Sequence, residues 1–82
     1  MSESIEPAIN EILRLSRRVV EDENELKALF TTSGIVLKDD WTFQSIGGDS
    51  EACLRRLLVN LSVHPVAKIA AKKVLSDHGV DL

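Results

Sequence analysis

The chain has 82 residues, with 10 Lys or Arg and 13 Asp or Glu, so its formal net charge at pH 7 is −3. Hydrophobic residues make up 44% and charged residues 28%, which is the balance of one small soluble domain. A core, a deep catalytic cavity and a second domain do not fit together into this length. We therefore expect a single domain over residues 1–82 that is not an enzyme.

Neither a disulfide framework nor a membrane-spanning segment is indicated. Cys53 is the single cysteine, so it has no partner for an internal disulfide, and no apolar run approaches the roughly 20 residues that a bilayer requires. The first residues, Met-Ser-Glu-Ser, carry an acid where a secretory signal carries bases. We expect a small acidic protein of the cytoplasm, monomeric or weakly dimeric, without membrane association.

The first helix is predicted from residue 5 to residue 20, because apolar residues recur there at intervals of three and four. Ser4 precedes this stripe as a candidate N-cap, and Pro7 falls in the first turn, where its missing N–H breaks no helical hydrogen bond. The residues predicted to face the core are Ile5, Ala8, Ile9, Ile12, Leu13, Ser16, Val19 and Val20.

A second helical segment follows the first. Residues 22–25 read Asp-Glu-Asn-Glu, a capping-box pattern in which Asp22 accepts a hydrogen bond from the amide near Glu25. Neither Pro nor Gly separates the two segments, so they can equally form one long helix. The apolar residues of the second segment are Leu26, Ala28, Leu29 and Phe30.

Residues 31–48 break the helical pattern. Gly34 suits the left-handed conformation that often ends a helix, and Gly47-Gly48 interrupts any periodicity. A long connection in a small domain is usually functional or held by its own side chains. We predict a long loop here, held to the core by Trp41, Phe43 and Ile46.

Two more helices are predicted in the C-terminal part. The first spans about residues 50–61, and the second starts at Pro65 and ends before Gly79. The fold class is therefore all-α, a bundle of three or four helices with a long loop before Gly47. The apolar stripe of the first of these helices is Cys53, Leu54, Leu57, Leu58 and Leu61, and the inner face of the last is Val66, Ile69, Ala70 and Val74, helped by Ala67 and Leu75.

The turn Gly47-Gly48-Asp49-Ser50 has the clearest chemical meaning in the sequence. Two glycines remove the Cβ atoms that would keep a phosphate or another backbone at a distance, and the amides of the next helix stabilise an anion. Ser50 is thus placed to bear a phosphodiester. No base for a hydrolytic nucleophile is indicated, and His64 and His78 lack a metal-ligand spacing. The same turn also fits a simpler role, in which Asp49 or Ser50 only caps a helix.

Residues 39–50, Asp-Asp-Trp-Thr-Phe-Gln-Ser-Ile-Gly-Gly-Asp-Ser, resemble the attachment-site signature of acyl and peptidyl carrier proteins. That signature has a polar or acidic lead-in, Phe, two residues, Leu or Ile, and then Gly-Gly-Asp-Ser. In this family the serine is esterified by a 4′-phosphopantetheine arm, whose thiol carries acyl or aminoacyl groups between enzymes. The family fold is a right-handed bundle of about four helices, with a long loop after the first helix and the serine opening the second.

The resemblance, which covers about residues 35–58, implies roles for individual residues. Ser50 would carry the arm, with Asp49 and Gly48 as its local frame, while Phe43 and Ile46 would anchor the loop. The implied function is a carrier-like domain that presents the arm to protein partners, namely a phosphopantetheinyl transferase and acyl-handling enzymes.

The partner-binding surface is predicted to include Trp41, Glu51, Arg55 and Arg56. Glu51 stands where the family usually has a Leu that partner enzymes touch. Arg55 and Arg56 follow where the acyl branch is commonly acidic, so they reverse the charge that a partner would meet.

The alternative function is a small non-enzymatic helical interaction or regulatory module without a prosthetic group. Residues 1–51 carry a net charge of −6 and residues 52–82 a net charge of +3, so the Trp41 loop and a basic C-terminal face could bind another protein. Trp41 equally suits a role in covering the core. A nucleic-acid adaptor is the least favoured hypothesis, because the whole chain is acidic; its contacts would be Arg55, Arg56, Lys68, Lys72 and Lys73.

Overall fold

The computed structural model describes the backbone of residues 2–80 and the side chains of residues 5–80. This part of the chain is mainly helical, as predicted, but a small antiparallel sheet corrects the all-α class. A 3₁₀ turn, Leu61–Val63, joins the last two helices. The elements in chain order are α1 (Ser2–Val19), α2 (Glu23–Thr31), β1 (Ile35–Leu37), β2 (Phe43–Ile46), α3 (Ser50–Asn60) and α4 (Pro65–Asp77).

Helices α1 and α2 are separate, which resolves the choice that the sequence left open. The carboxylate of Asp22 accepts hydrogen bonds from the amides of Asn24, at 3.0 Å, and Glu25, at 3.2 Å. The predicted cap is thereby confirmed, and it satisfies amides that have no partner at a helix start.

The start of α1 differs from the prediction. The helix already begins at Ser2 and contains Pro7, so Ser4 is not its N-cap. Pro7 lies beyond the first turn of this longer helix, so the hydrogen bond to the carbonyl of residue 3 is not made, and the prediction that its missing N–H breaks no helical hydrogen bond is wrong. Val19 was assigned to the core, but it is 39% exposed, because it lies in the last turn of α1, on the edge of the buried stripe.

A β-hairpin occupies the segment for which a long loop was predicted. Ile35 lies opposite Ile46 and Val36 opposite Ser45, and an extra residue on β2 makes a bulge. The hairpin pairs backbone groups that an irregular loop would leave to water. The strands are only three and four residues long, so the period-two pattern that indicates a strand is too short to recognise.

The core lies between the helices and the inner face of the hairpin. Helix α4 packs mainly against α1, while the hairpin packs against α1 and α2. Trp41, Phe43 and Ile46 are half-buried and contact the core, which confirms their predicted anchoring. The buried apolar residues are Ala8, Ile9, Ile12, Leu13, Val20, Leu26, Phe30, Ile35, Leu37, Cys53, Leu54, Leu57, Leu61, Ala67, Ala71, Val74 and Leu75.

Helix α4 has the predicted bounds but buries a different face. Ala67 and Ala71 are buried, whereas Val66 and Ile69 are 63% and 68% exposed. The alanines permit a close approach of the α4 backbone to α1, and Val66 and Ile69 lie on the outer side of the helix. The prediction that Val66 and Ile69 belong to the inner face is therefore wrong, whereas Val74, Ala67 and Leu75 are buried as predicted. Within residues 2–80, no helix has both the length and the apolar character needed to cross a membrane.

Candidate functional site

The turn at residues 47–50 connects the base of the hairpin to α3. The amide of Gly47 donates a hydrogen bond to the carbonyl of Gly34 at 2.8 Å, and the thiol of Cys53 donates to the carbonyl of Gly47 at 3.2 Å. These two hydrogen bonds attach the turn to the connection between α2 and β1 on one side and to the first turn of α3 on the other.

Ser50 is the first residue of α3 and is half-buried. Asp49 has the extended backbone of an N-cap residue, but its side chain makes no capping hydrogen bond. Asp49 is therefore the N-cap residue of α3, as the simpler role predicted, although its carboxylate does not cap the amides of the first turn. Gly48 has φ +86°, and a Cβ added to it would meet no atom within 4 Å. The turn needs glycine there for its left-handed backbone rather than for space.

At Gly34 the base of the hairpin lies too close to α3 for a larger residue. It has φ +95°, and an added Cβ would lie 2.9 Å from the Sγ of Cys53. Cys53 is itself only 4% exposed. Its position on the apolar stripe of α3 is confirmed, and its contact with Gly34 holds the hairpin base close to the start of α3.

The predicted partner-binding residues lie in two separate places. Glu51, Arg55 and Arg56 are exposed on α3 after Ser50, and Glu51 approaches Arg55 at 3.8 Å. Trp41 lies at the tip of the hairpin, whereas Ser50 follows its base. At about 3.3 Å per strand residue, the hairpin holds its two ends roughly 10 Å apart, so Trp41 is not brought to the Gly47–Ser50 turn.

Trp41 packs against the core and against α1. The guanidinium carbon of Arg17 lies 4.7 Å from the centroid of the indole ring, and Arg17 also pairs with Glu23 at 3.3 Å. Arg17 thus covers one face of the indole, and the core-covering interpretation of Trp41 is confirmed. Its role in partner binding stays a prediction.

The two histidines of the chain contact acidic residues of other helices. His64 contacts Glu25 at 3.0 Å and His78 contacts Glu11 at 3.6 Å, so both histidines bridge α4 to other helices. Within residues 5–80, no group of three or more His, Cys, Asp or Glu could hold a metal ion.

The hairpin tip contains a local hydrogen bond that shifts a pKa. The hydroxyl of Thr42 donates to Asp40 Oδ1, and this hydrogen bond to the charged form holds the pKa of the Asp40 carboxyl below its ordinary value. Because the carboxyl is fully exposed, this effect is local to the tip.

Asparagine side chains position the hairpin and α3, and the sequence pattern did not single them out. Asn10 Oδ1 accepts from the amide of Phe43 at 2.7 Å, which fixes β2 against α1. Asn60 Nδ2 donates to Ser33 Oγ at 2.9 Å and to the carbonyl of Leu29 at 3.2 Å, which fixes the end of α3 against the end of α2.

An exposed apolar surface lies where α3 turns into α4. Four aliphatic residues within eleven residues of chain have exposed fractions of 63–68%. We call Val59, Val63, Val66 and Ile69 the α3–α4 surface. One feature of the sequence could have indicated this surface, because Val59 lies off the stripe formed by the buried leucines of α3. Val66 and Ile69 were not recognised as surface residues, since they were predicted to lie in the core.

Basic residues flank the α3–α4 surface at both ends. Arg55 and Arg56 precede Val59 by about one helical turn, and Lys72 and Lys73 follow Ile69 by about one turn. All four side chains are exposed. We call these four residues the basic rim.

Comparison of the chain with protein-family models, with curated proteins and with solved structures gave no match.

Proposed function

We propose that this protein is a non-enzymatic interaction module that binds another protein through the α3–α4 surface. The observation that carries the proposal is that four aliphatic side chains within residues 59–69 are each about two-thirds exposed. Exposed apolar residues are common when they are scattered, whereas a cluster bounded by charged residues is typical of a binding surface.

Elsewhere on the described surface, large exposed apolar residues are isolated from one another along the chain. Val36, on the outer face of the hairpin, and Val19, at the end of α1, are the other large apolar residues that are exposed among residues 5–80, at 44% and 39%. They lie on separate elements. Val36 is therefore a suitable control position for substitutions in the α3–α4 surface.

The test is affinity capture from the native host with the tagged full-length chain, followed by quantitative mass spectrometry. We expect at least one protein to be recovered with the unchanged chain and with Val36→Ser, and roughly tenfold less with the double variant Val63→Ser and Ile69→Ser. Both substitutions are at exposed positions, so circular dichroism should show unchanged folding. If no protein depends on Val63 and Ile69 for its recovery, the proposal is wrong.

A second candidate function is a carrier that holds 4′-phosphopantetheine on Ser50. It is supported by the position of Ser50 at the start of the eleven-residue helix α3. The Asp49 side chain does not cap the first-turn amides of this helix. The residues present therefore fit a phosphodiester, because such amides stabilise an anion. Two features depart from the fold that the family resemblance implies: a hairpin replaces the long loop, and Ser50 opens the third helix of the chain rather than the second.

Mass spectrometry tests the carrier function directly. The protein is incubated with coenzyme A and a phosphopantetheinyl transferase of broad specificity, and a mass gain of one arm is expected. Ser50→Ala should abolish the gain, while Ser45→Ala, which changes an exposed serine on β2, should retain it. An unchanged mass of the starting protein would contradict the carrier function.

A further inference from the structure

We infer that the α3–α4 surface binds an acidic amphipathic helix, an inference that rests on the interaction function proposed above and names the chemistry of its partner. The arrangement of apolar residues and the charge of the rim support it independently.

The apolar residues are arranged to receive a helix. Val59 and Val63 are four residues apart on α3 and the 3₁₀ turn, and Val66 and Ile69 are three residues apart on α4. Pairs at this helical spacing match a partner helix that presents apolar side chains at i, i+3, i+4 and i+7. Strand addition needs an exposed sheet edge, and this surface is formed by helical backbone alone.

The rim specifies an acidic partner. Its acidic neighbours form weak exposed pairs with two of its members: Glu51 lies 3.8 Å from Arg55, and Asp77 lies 3.5 Å from Lys73. Arg56 and Lys72 are in none of the ion pairs found among the described side chains. Each end of the α3–α4 surface therefore offers positive charge to the carboxylates that flank the apolar stripe of an acidic helix.

Other occupants fit the surface less well. Nucleic acid gains its affinity from phosphate contacts and would leave the four aliphatic side chains uncovered. An interfacial membrane helix carries Trp, Phe or Leu on its apolar face, whereas this face has only Val and Ile. A second copy that used the same surface would place basic rims against each other.

The test uses the full-length protein and a labelled synthetic helical peptide that has Leu at i, i+3, i+4 and i+7, Glu on both flanks and Ala elsewhere. A second peptide has Lys at every Glu position. Fluorescence anisotropy should show at least tenfold tighter binding of the Glu peptide, weakened by added salt. Arg56→Glu with Lys72→Glu should weaken its binding by tenfold or more, and so should Val63→Ser with Ile69→Ser.

A matched control separates local from overall charge. The double variant Arg14→Glu and Arg18→Glu changes two exposed bases of α1 and alters the net charge by the same amount as reversal of Arg56 and Lys72. It should bind the Glu peptide like the unchanged protein. Equal binding of the Glu and Lys peptides, equal effects of the two charge reversals, or no binding would overturn the inference.

Two further measurements identify the other occupants and separate this inference from the proposed function. Co-sedimentation with phosphatidylglycerol vesicles, or a dimer in sedimentation analysis that Val63→Ser with Ile69→Ser abolishes, would overturn it. If capture of the host protein depends on Val63 and Ile69 but not on Arg56 and Lys72, this inference fails and the proposed function stands. If capture depends on neither pair, both fail.

Discussion

Trp41 has a backbone conformation that residues with a Cβ rarely adopt. Its φ is +66°, at a turn in which its amide donates to the carbonyl of Lys38 and the amide of Lys38 donates to the carbonyl of Thr42. Glycine is the usual residue at this third position of a three-residue hairpin loop. A left-handed conformation costs about 1–2 kcal/mol, and the contact of the indole with the core and Arg17 offsets that cost.

Two substitutions of Trp41 separate strain from packing. Trp41→Ala loses the indole contacts but keeps the left-handed strain, so we expect a destabilisation of about 1–3 kcal/mol. Trp41→Gly loses the same contacts but relieves the strain, so it should be about 1 kcal/mol more stable than Trp41→Ala. Urea unfolding followed by far-ultraviolet circular dichroism measures both. Equal stabilities of the Ala and Gly variants would contradict the account of strain.

The hairpin tip gives a prediction about pH. Because the Thr42 hydroxyl lowers the folded-state pKa of Asp40, this hydrogen bond stabilises the folded state above the unfolded pKa of about 3.9, and its contribution is lost as the pH falls through the lowered folded pKa. Thr42→Val should raise the pKa of Asp40 toward its ordinary value, measured by NMR titration of the carboxyl carbon. Thr42→Ser keeps the hydroxyl and should leave the pKa low; an equal rise in both variants would refute this cause.

At the scale of elements, the junction between the hairpin and α3 depends on Gly34 more than on Gly48. Both have a positive φ, but only the Cβ added at Gly34 meets a buried atom. We expect Gly48→Ala to cost about 1 kcal/mol from backbone strain and Gly34→Ala to cost clearly more, about 2–4 kcal/mol, because the contact with Cys53 is added. Urea unfolding measures the difference.

Cys53→Ala provides the control for this junction. In the Gly34→Ala background it removes the Sγ atom that the new Cβ would meet, so it should restore part of the lost stability, although Cys53→Ala alone is destabilising. Strictly additive effects of the two substitutions would show that the contact between residues 34 and 53 does not limit the packing.

The helices were predictable from the sequence because each has apolar residues at helical spacing, and α2 and α4 also have a recognisable start. Asp22 and Pro65 mark helix starts through side-chain chemistry that acts locally. The hairpin was not predictable, because β2 contains Gln44 and Ser45 and its tip places Trp41 where a turn signature would have glycine. Ser50 could be placed at a helix start, since the preceding glycines end one element and the stripe of α3 begins the next.

The whole molecule has principal extents of 31 × 24 × 18 Å over its described residues. At this scale, the orientation of α4 decides which of its side chains are exposed to solvent. Sequence reasoning placed the larger Val66 and Ile69 inside and gave alanines a secondary role. In the structure Ala67 and Ala71 face the core together with Val74 and Leu75, and the alanines let the backbones of α4 and α1 approach closely. That choice depends on the partner helix α1, so it is not visible in the sequence of α4.

Site-specific photocross-linking in the native host tests most directly whether the α3–α4 surface is where another protein binds. A photoreactive residue is placed at position 63, and at position 36 in a control chain. We predict an adduct with a distinct host protein at position 63 and none at position 36. No protein adduct at position 63, or the same adducts at both positions, would contradict the account.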